Sequence, residues 1–273
     1  MPKEKTLRKL NQITLKAKLN FNVNVFKTWM KKKLQDEGKT FEKDGKQCLP
    51  KFSGSHIAIA ALNEKLCYII LDKTINRLKK EVNGLYVIKF LDISDIVHVD
   101  QDLKHNIANY MDMFDSTLSY KDQYCIEEKC IKKYIDDMFG KSIDIQNDAF
   151  NLLVYILHKV SVQIIDTAFI MIKFAKKRSL SPNAIIGSVS AHFAGSIEHL
   201  LKLRIDEAIK SCGRDMDEKD VDMNKEENEE EDVEKESNDP VVVEEKFEVV
   251  DDKSEDDLTS KSKKGKGKKG NKL

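Results

Sequence analysis

Residues 147–177 read NDAFNLLVYILHKVSVQIIDTAFIMIKFAKK, with no proline and no glycine. Asn147 and Asp148 open the stretch, and such side chains cap a helix N-terminus by accepting from its unpaired N–H groups. Leu153, Ile156, Leu157, Val160, Ile164, Ala168, Met171 and Ala175 recur at helical spacing. Phe150, Leu152, Val154, Val162, Ile165, Phe169 and Ile172 fall on other faces. The helix this predicts is about 45 Å long. A helix apolar on most of its circumference has to be covered on most of it. The short segments beside it cannot do that, so a second long helix must cross it. Ser55–Lys80 supplies one, with Ile59, Leu62, Leu66, Ile69, Ile70 and Leu78 along it.

The remaining elements arrange themselves around these two. LNFNVNVFKTWMKKKLQ reads as a short helix with Phe26, Trp29, Met30 and Leu34 on one side. Residues 35–54 are polar with Gly and Pro, and read as a loop. Asn83-Gly84 ends the first long helix, LYVIKF is a β-prone patch, and LDISDIVHV is another short helix. Asp100–Asp122 reads as a polar connector. The order then returns: a short helix from Cys125 to Phe139, a loop, the long helix, a loop at Arg178–Pro182, a short helix over Asn183–Phe193. An extra amphipathic helix follows over Ser196–Ser211. Short–long–short, twice, is how a diverged structural repeat reads. Two such units that cover each other's long helices make one all-α body of about 200 residues.

Composition narrows the function. Four Pro and eleven Gly disfavour turn-rich β folds. The five cysteines, Cys48, Cys67, Cys125, Cys130 and Cys212, include no CxxC and read as reduced thiols, with no metal site. No apolar run reads as the roughly 20 residues that span a bilayer, and MPKEKTLRKL has no signal-peptide core, so no membrane or secretion is expected. The zero net charge conceals three blocks. Residues 1–212 carry 34 Lys+Arg and 25 Asp+Glu (+9), residues 213–260 carry 6 and 22 (−16), and residues 261–273 carry 7 and 0 (+7). A basic body thus continues into an acidic arm and a basic tip. The arm is too charged to bury a core and is expected to be disordered. With no Gly-rich phosphate loop, no HExxH and no Ser/His/Asp or Cys/His set, the chain does not read as an enzyme and calls for no cofactor.

The local residues resemble the histone fold. LNFNVNVFKTWMKKK, SGSHIAIAALNEKLCYIILDK and IKFLDISDIVHVDQDLKHNI are similar to histone 2A. KKRSLSPNAIIGSVSAHFAGSIEHLLKLRIDEAIKS is similar to the end of histone 2B. The resemblance covers residues 20–211 and implies two tandem histone folds clasped as an intramolecular pseudo-heterodimer, with an extra C-terminal helix and disordered tails. Its divisions are a basic tail (1–17), a histone 2A-like fold (18–118), a histone 2B-like fold (119–212), the acidic arm (213–260) and the basic tip (261–273). Fused pairs of this kind are encoded by some large DNA viruses. This chain departs from the family by an insertion at about Gln35–Cys48 and by Val87 where a DNA-reaching arginine is expected.

What the resemblance implies for function is double-stranded DNA bound without sequence specificity, in a nucleosome-like particle shared with a histone 3/histone 4-like pair or doublet. The location would be a host nucleus, or a viral factory and virion. Lysines and arginines neutralise phosphates and release counterions. The fold would place Lys51 beside Lys176, Lys177, Arg178 and Ser179 at one loop pair, and Lys141 and Ser142 beside Lys89 at the other. Lys31, Lys32, Lys132 and Lys133 on the first helices would extend the track. Glu64, Asp72, Asp100 and Asp102 match positions of an acidic patch that receives chromatin factors through an arginine, with Ile69 in place of one acid. The alternative is a histone-fold transcription-factor subunit or a chaperone-like chromatin regulator acting through the acidic arm.

Overall fold

The computed structural model describes residues 12–43, 45–78, 86–116, 118, 124, 126, 128–140 and 143–213. All of them lie within the first of the two units into which the chain divides, Met1–Asn224 and Lys225–Leu273. The expected chain break at Asn83-Gly84, Lys141, Ser142, the helix start at Cys125, the arm beyond residue 213 and the tip fall outside the described residues.

The described part is mostly helical. Helix α1 spans Val23–Asp36 and is capped by Asn22, whose side chain accepts from the Asn24 N–H. A hairpin of β1 (Phe41–Lys43) and β2 (Lys46–Cys48) follows, then the two-residue strand β3 (Lys51–Phe52) and helix α2 (Ser55–Ile75). Strand β4 (Tyr86–Ile88) leads into α3 (Phe90–Val99) and α4 (Gln101–Met111). The second half holds α5 (Glu128–Phe139), β5 (Ile143–Ile145), α6 (Asn147–Phe174), β6 (Ser179–Leu180), α7 (Pro182–His192) and α8 (Gly195–Ser211).

Two parallel bridges set the topology. β3, just before α2, pairs with β6, just after α6, in the register Lys51↔Ser179 and Phe52↔Leu180. β4, after α2, pairs with β5, just before α6, in the register Tyr86↔Ile143, Val87↔Asp144 and Ile88↔Ile145. The start of each long helix is thereby tied to the end of the other, so the two run in opposed senses. They meet near their middles, where Asn63 Nδ2 donates to Ser161 Oγ at 2.8 Å.

The long helices are buried unequally. In α2, 16 of 21 residues are buried, on every face, and α8 covers it most extensively. The buried face of α8 is Ile197, Leu201, Ile205, Ala208 and Ile209. In α6 the burial covers the middle and fails at the end: Ile170 is 51%, Met171 36% and Phe174 84% exposed. By length and composition α6 could cross a membrane, contrary to the reading of its sequence, yet 61% of its most apolar window is buried inside the body. Full burial of a Leu, Ile, Val or Phe side chain is worth about 1.5–3 kcal/mol, so these two helices dominate the core.

Three readings need correction. The connector after Asp100 is in fact the helix α4, whose N-terminus Asp100 caps by accepting from the Leu103 N–H at 3.0 Å. The polar loop after α1 holds the β1–β2 hairpin. Residues 12–16, assigned to the tail, are helical, and Ala17 is fully buried.

Candidate nucleic-acid interface

The expected loop pair at β3–β6 is assembled. The Lys51 N–H donates to the Arg178 carbonyl at 3.0 Å, and the Ser53 N–H to the Leu180 carbonyl at 3.1 Å. Lys51, Lys176, Lys177 and Arg178 are exposed and Ser179 is half-buried. Lys173, one helical turn before Lys177, is exposed as well. This end of the body therefore gathers five cations on a stretch of six residues and its bridge partner, with no carboxylate in either segment.

The turn that builds this cluster is strained. Lys176 has φ +55°, in the left-handed region that favours glycine. The Lys177 N–H reaches back to the Ile172 carbonyl at 2.8 Å, closing the helix end. Holding a side chain with a Cβ there costs about 1–2 kcal/mol. A charge is kept at a position where the backbone alone would be better served by glycine.

The second end is built differently. Lys89 sits directly after β4, and its N–H is taken by Asp92 Oδ2 at 2.7 Å. The Gln146 N–H donates to the Ile88 carbonyl at 2.9 Å. Lys132 and Lys133 are exposed on α5, but so are Asp136 and Asp137, and Asp144 faces Val87 across the bridge. A recess here is lined by Lys132, Ile135, Asp136 and residues 143–145. Among the described residues this end is charge-balanced, whereas the β3–β6 end is strongly basic. Lys141 lies outside the described residues.

On α1 the triple lysine splits. Lys31 and Lys32 are exposed, whereas Lys33 is buried and ion-paired to Glu37 at 2.7 Å and Asp166 at 2.6 Å. Lys39 pairs with the same two carboxylates at 2.7 and 2.6 Å. Burial acts to raise the pKa of Glu37, but Lys33 and Lys39 outweigh it and hold the carboxyl below its ordinary value.

Three of the four acids expected at a partner-binding patch, Glu64, Asp100 and Asp102, are engaged within the chain, and Glu64 has to be removed from any open patch. It is 4% exposed. Its Oε2 accepts from the Asn20 N–H at 2.5 Å and the Phe21 N–H at 3.3 Å, and Arg204 Nη2 lies 2.8 Å from Oε1. The same guanidinium nitrogen donates to the Lys18 carbonyl at 2.6 Å. An arginine already fills the place that an incoming one would need. Asp100 pairs with Lys73 at 2.5 Å while capping α4. Asp102 accepts from Ser196 Oγ at 2.6 Å, tying α4 to the start of α8. Asp72 is half-buried on α2. The 140-residue separation of Glu64 and Arg204 leaves no local signal in the sequence.

Among the described residues no three His, Cys, Asp or Glu side chains converge as metal ligands. Comparison of the chain with family models, curated proteins and solved structures returned no match.

Proposed function

We propose that the chain is a fused pair of histone folds that binds double-stranded DNA without sequence preference, as a structural packaging protein of a large DNA virus. The observation that carries this reading is the reciprocal bridge. The loop before each long helix pairs with the loop after the other, around a crossing at Asn63 and Ser161. That exchange supports two interlocked helix triplets over a plain bundle. It brings Lys51 against Arg178 and Ser179, a cluster suited to phosphates. In a histone-like arrangement the exposed Lys31 and Lys32 of α1 would extend it.

The same reading assigns the chain a partner. Ile170, Met171 and Phe174 form an uncovered apolar end of α6, and Met171 Sδ lies 3.3 Å from where a Cβ on Gly187 of α7 would sit. A histone 3/histone 4-like pair docking there would cover this surface. Fusion of the two halves makes their pairing independent of concentration.

Binding to unrelated duplexes, titrated with salt, tests the proposal. A steep decline in affinity with salt, equal across sequences, is the expected result. Nuclease digestion after mixing with the histone 3/histone 4-like pair should leave discrete protected lengths. Strong preference for one sequence, or weak binding with a shallow salt slope, would reject packaging. The −16 charge over residues 213–260 favours a second reading, a chaperone-like regulator. Deleting that arm discriminates: DNA binding strengthens if the arm masks a packaging surface, and histone binding is lost if the arm is the working part.

A further inference from the structure

The β1–β2 hairpin is an insertion with little core to justify it. Glu42, Lys43, Lys46, Gln47 and Cys48 are all exposed, and among the described hairpin residues Phe41 alone packs inward, its ring centroid 5.2 Å from that of Phe169. A two-stranded hairpin is marginal by itself, so something has to hold it. The ion cluster of Lys33, Glu37, Lys39 and Asp166 does so at its base, with Lys33 buried between two carboxylates. Asp166 and Phe169 stand one turn apart on α6, and they are met in turn by Lys39 and Phe41. Strand β1 therefore runs toward the C-terminal end of α6, where Lys173, Lys176, Lys177 and Arg178 are exposed.

At the far end of the hairpin Lys43 and Lys46 are cross-strand partners. Gly45, between them and at φ +74°, makes the turn. Like charges directly opposite each other destabilise a hairpin, and the ion cluster at the base, two cations against two anions, leaves no carboxylate over for them. On the described strands the nearest acid is Glu42, which faces Gln47. Asp44 precedes Gly45 in sequence and lies outside the described residues. A pair of lysines held side by side on a braced arm, next to a basic helix end, is an arrangement that an external polyanion relieves.

We infer that the β1–β2 hairpin is a phosphate-backbone arm that carries Lys43 and Lys46 onto double-stranded DNA beyond the Lys51–Arg178 contact. It lengthens the footprint at this end of the body only. The inference rests on the DNA-binding reading above and adds a contact that the resemblance does not supply.

The test uses the full chain and duplexes of unrelated sequence across a salt series. Lys43→Gln with Lys46→Gln should reduce the slope of log affinity against log salt by about 1.8, at about 0.9 per phosphate contact. Thermal melting should not fall, because both side chains are exposed and their replacement only relieves the repulsion between them. The matched change Lys104→Gln with Lys210→Gln, on α4 and α8, should reduce the slope by less than half as much. Arg178→Ala reports on the main contact. An unchanged slope in the Lys43/Lys46 variant, with Arg178→Ala lowering it, overturns the arm and leaves DNA binding standing. An equal effect from the Lys104/Lys210 variant overturns it too, as a mere effect of net charge. A wild-type protein with no salt-dependent duplex binding overturns both readings.

Discussion

Asn63 and Ser161 close a ring of hydrogen bonds at the crossing of the two long helices. Asn63 Nδ2 donates to Ser161 Oγ at 2.8 Å, and Tyr124 Oη donates to Asn63 Oδ1 at 2.9 Å. Tyr124 Oη and Ser161 Oγ stand 2.7 Å apart, so the serine hydroxyl completes the circuit by donating to the tyrosine oxygen. All three side chains are buried. Asn63 also donates to the Ile59 carbonyl at 2.8 Å.

Breaking that ring at one point strands buried polar atoms, whereas removing it whole does not. Ser161→Ala and Tyr124→Phe should each cost about 1–3 kcal/mol in urea unfolding. The triple change Asn63→Leu, Ser161→Ala, Tyr124→Phe should cost clearly less than the sum of the single changes. Additive costs would mean the three groups are not coupled.

Arg204 secures the segment before α1 through Glu64. Arg204→Ala leaves a carboxylate that is 5% exposed at its side chain without its cation. A loss of about 2–4 kcal/mol is expected, seen as a lower urea midpoint. Residues 18–21 should also exchange amide hydrogens faster, because Lys18, Asn20 and Phe21 all bond to this pair. Unaltered protection at Asn20 and Phe21 would contradict this role.

Lys176→Gly separates stability from binding. Glycine relieves the left-handed strain at φ +55°, and a gain of about 0.5–1 kcal/mol is expected after its greater freedom when unfolded is counted. The same change removes one cation from the β3–β6 cluster and should lower the salt slope of DNA binding by about 0.9. Calorimetry and a salt titration on the same sample check both halves.

His158 makes the body sensitive to mild acid. Burial, with Lys159 and Lys33 nearby, pushes its pKa down to about 4. An unfolded imidazole takes its proton near 6.5. Between these values the unfolded chain binds more protons, so stability is full above about pH 6.5 and falls as the pH drops toward 4. The loss is on the order of 2–3 kcal/mol. His192, whose pKa burial also lowers, adds in the same direction. His158 stacks on Tyr124 with centroids 5.0 Å apart and meets Trp29 edge-on at 5.8 Å. His158→Phe keeps the ring and loses the charge, so its urea midpoint should fall less between pH 6.5 and 4.5 than that of wild type.

The long helices could be read from the sequence because their periodicity extends over many turns, as in Ile59, Leu62, Leu66 and Ile70. The short helices α1, α3 and α7 carry an apolar stripe over fewer turns, and α7 is marked further by Ser181 and Pro182, where Ser181 accepts from the Ala184 N–H. Helix α4 escaped because its buried face is only Leu103, Asn106 and Ile107. Asn106 is satisfied across the fold, donating to the Ala194 carbonyl at 3.3 Å and accepting from the Ala194 N–H at 2.8 Å. The hairpin escaped because its strands are exposed and have no alternation to read. At the candidate site the basic residues were legible as types. Which of them are spent internally was not: Lys33 sits between Lys32 and Leu34 in sequence, yet its partner Asp166 comes from the other half.

The bridges from Phe52 to Leu180 and from Ile88 to Ile145 have a consequence for synthesis. A ribosome delivers α2 long before the strands and helices that shelter it, so the nascent first half waits with its apolar sides bare. Neither half can finish alone. The chain becomes safe from aggregation only when α8, ending at Ser211, has left the exit tunnel, and a stall before that point should leave a product that needs a chaperone to stay in solution.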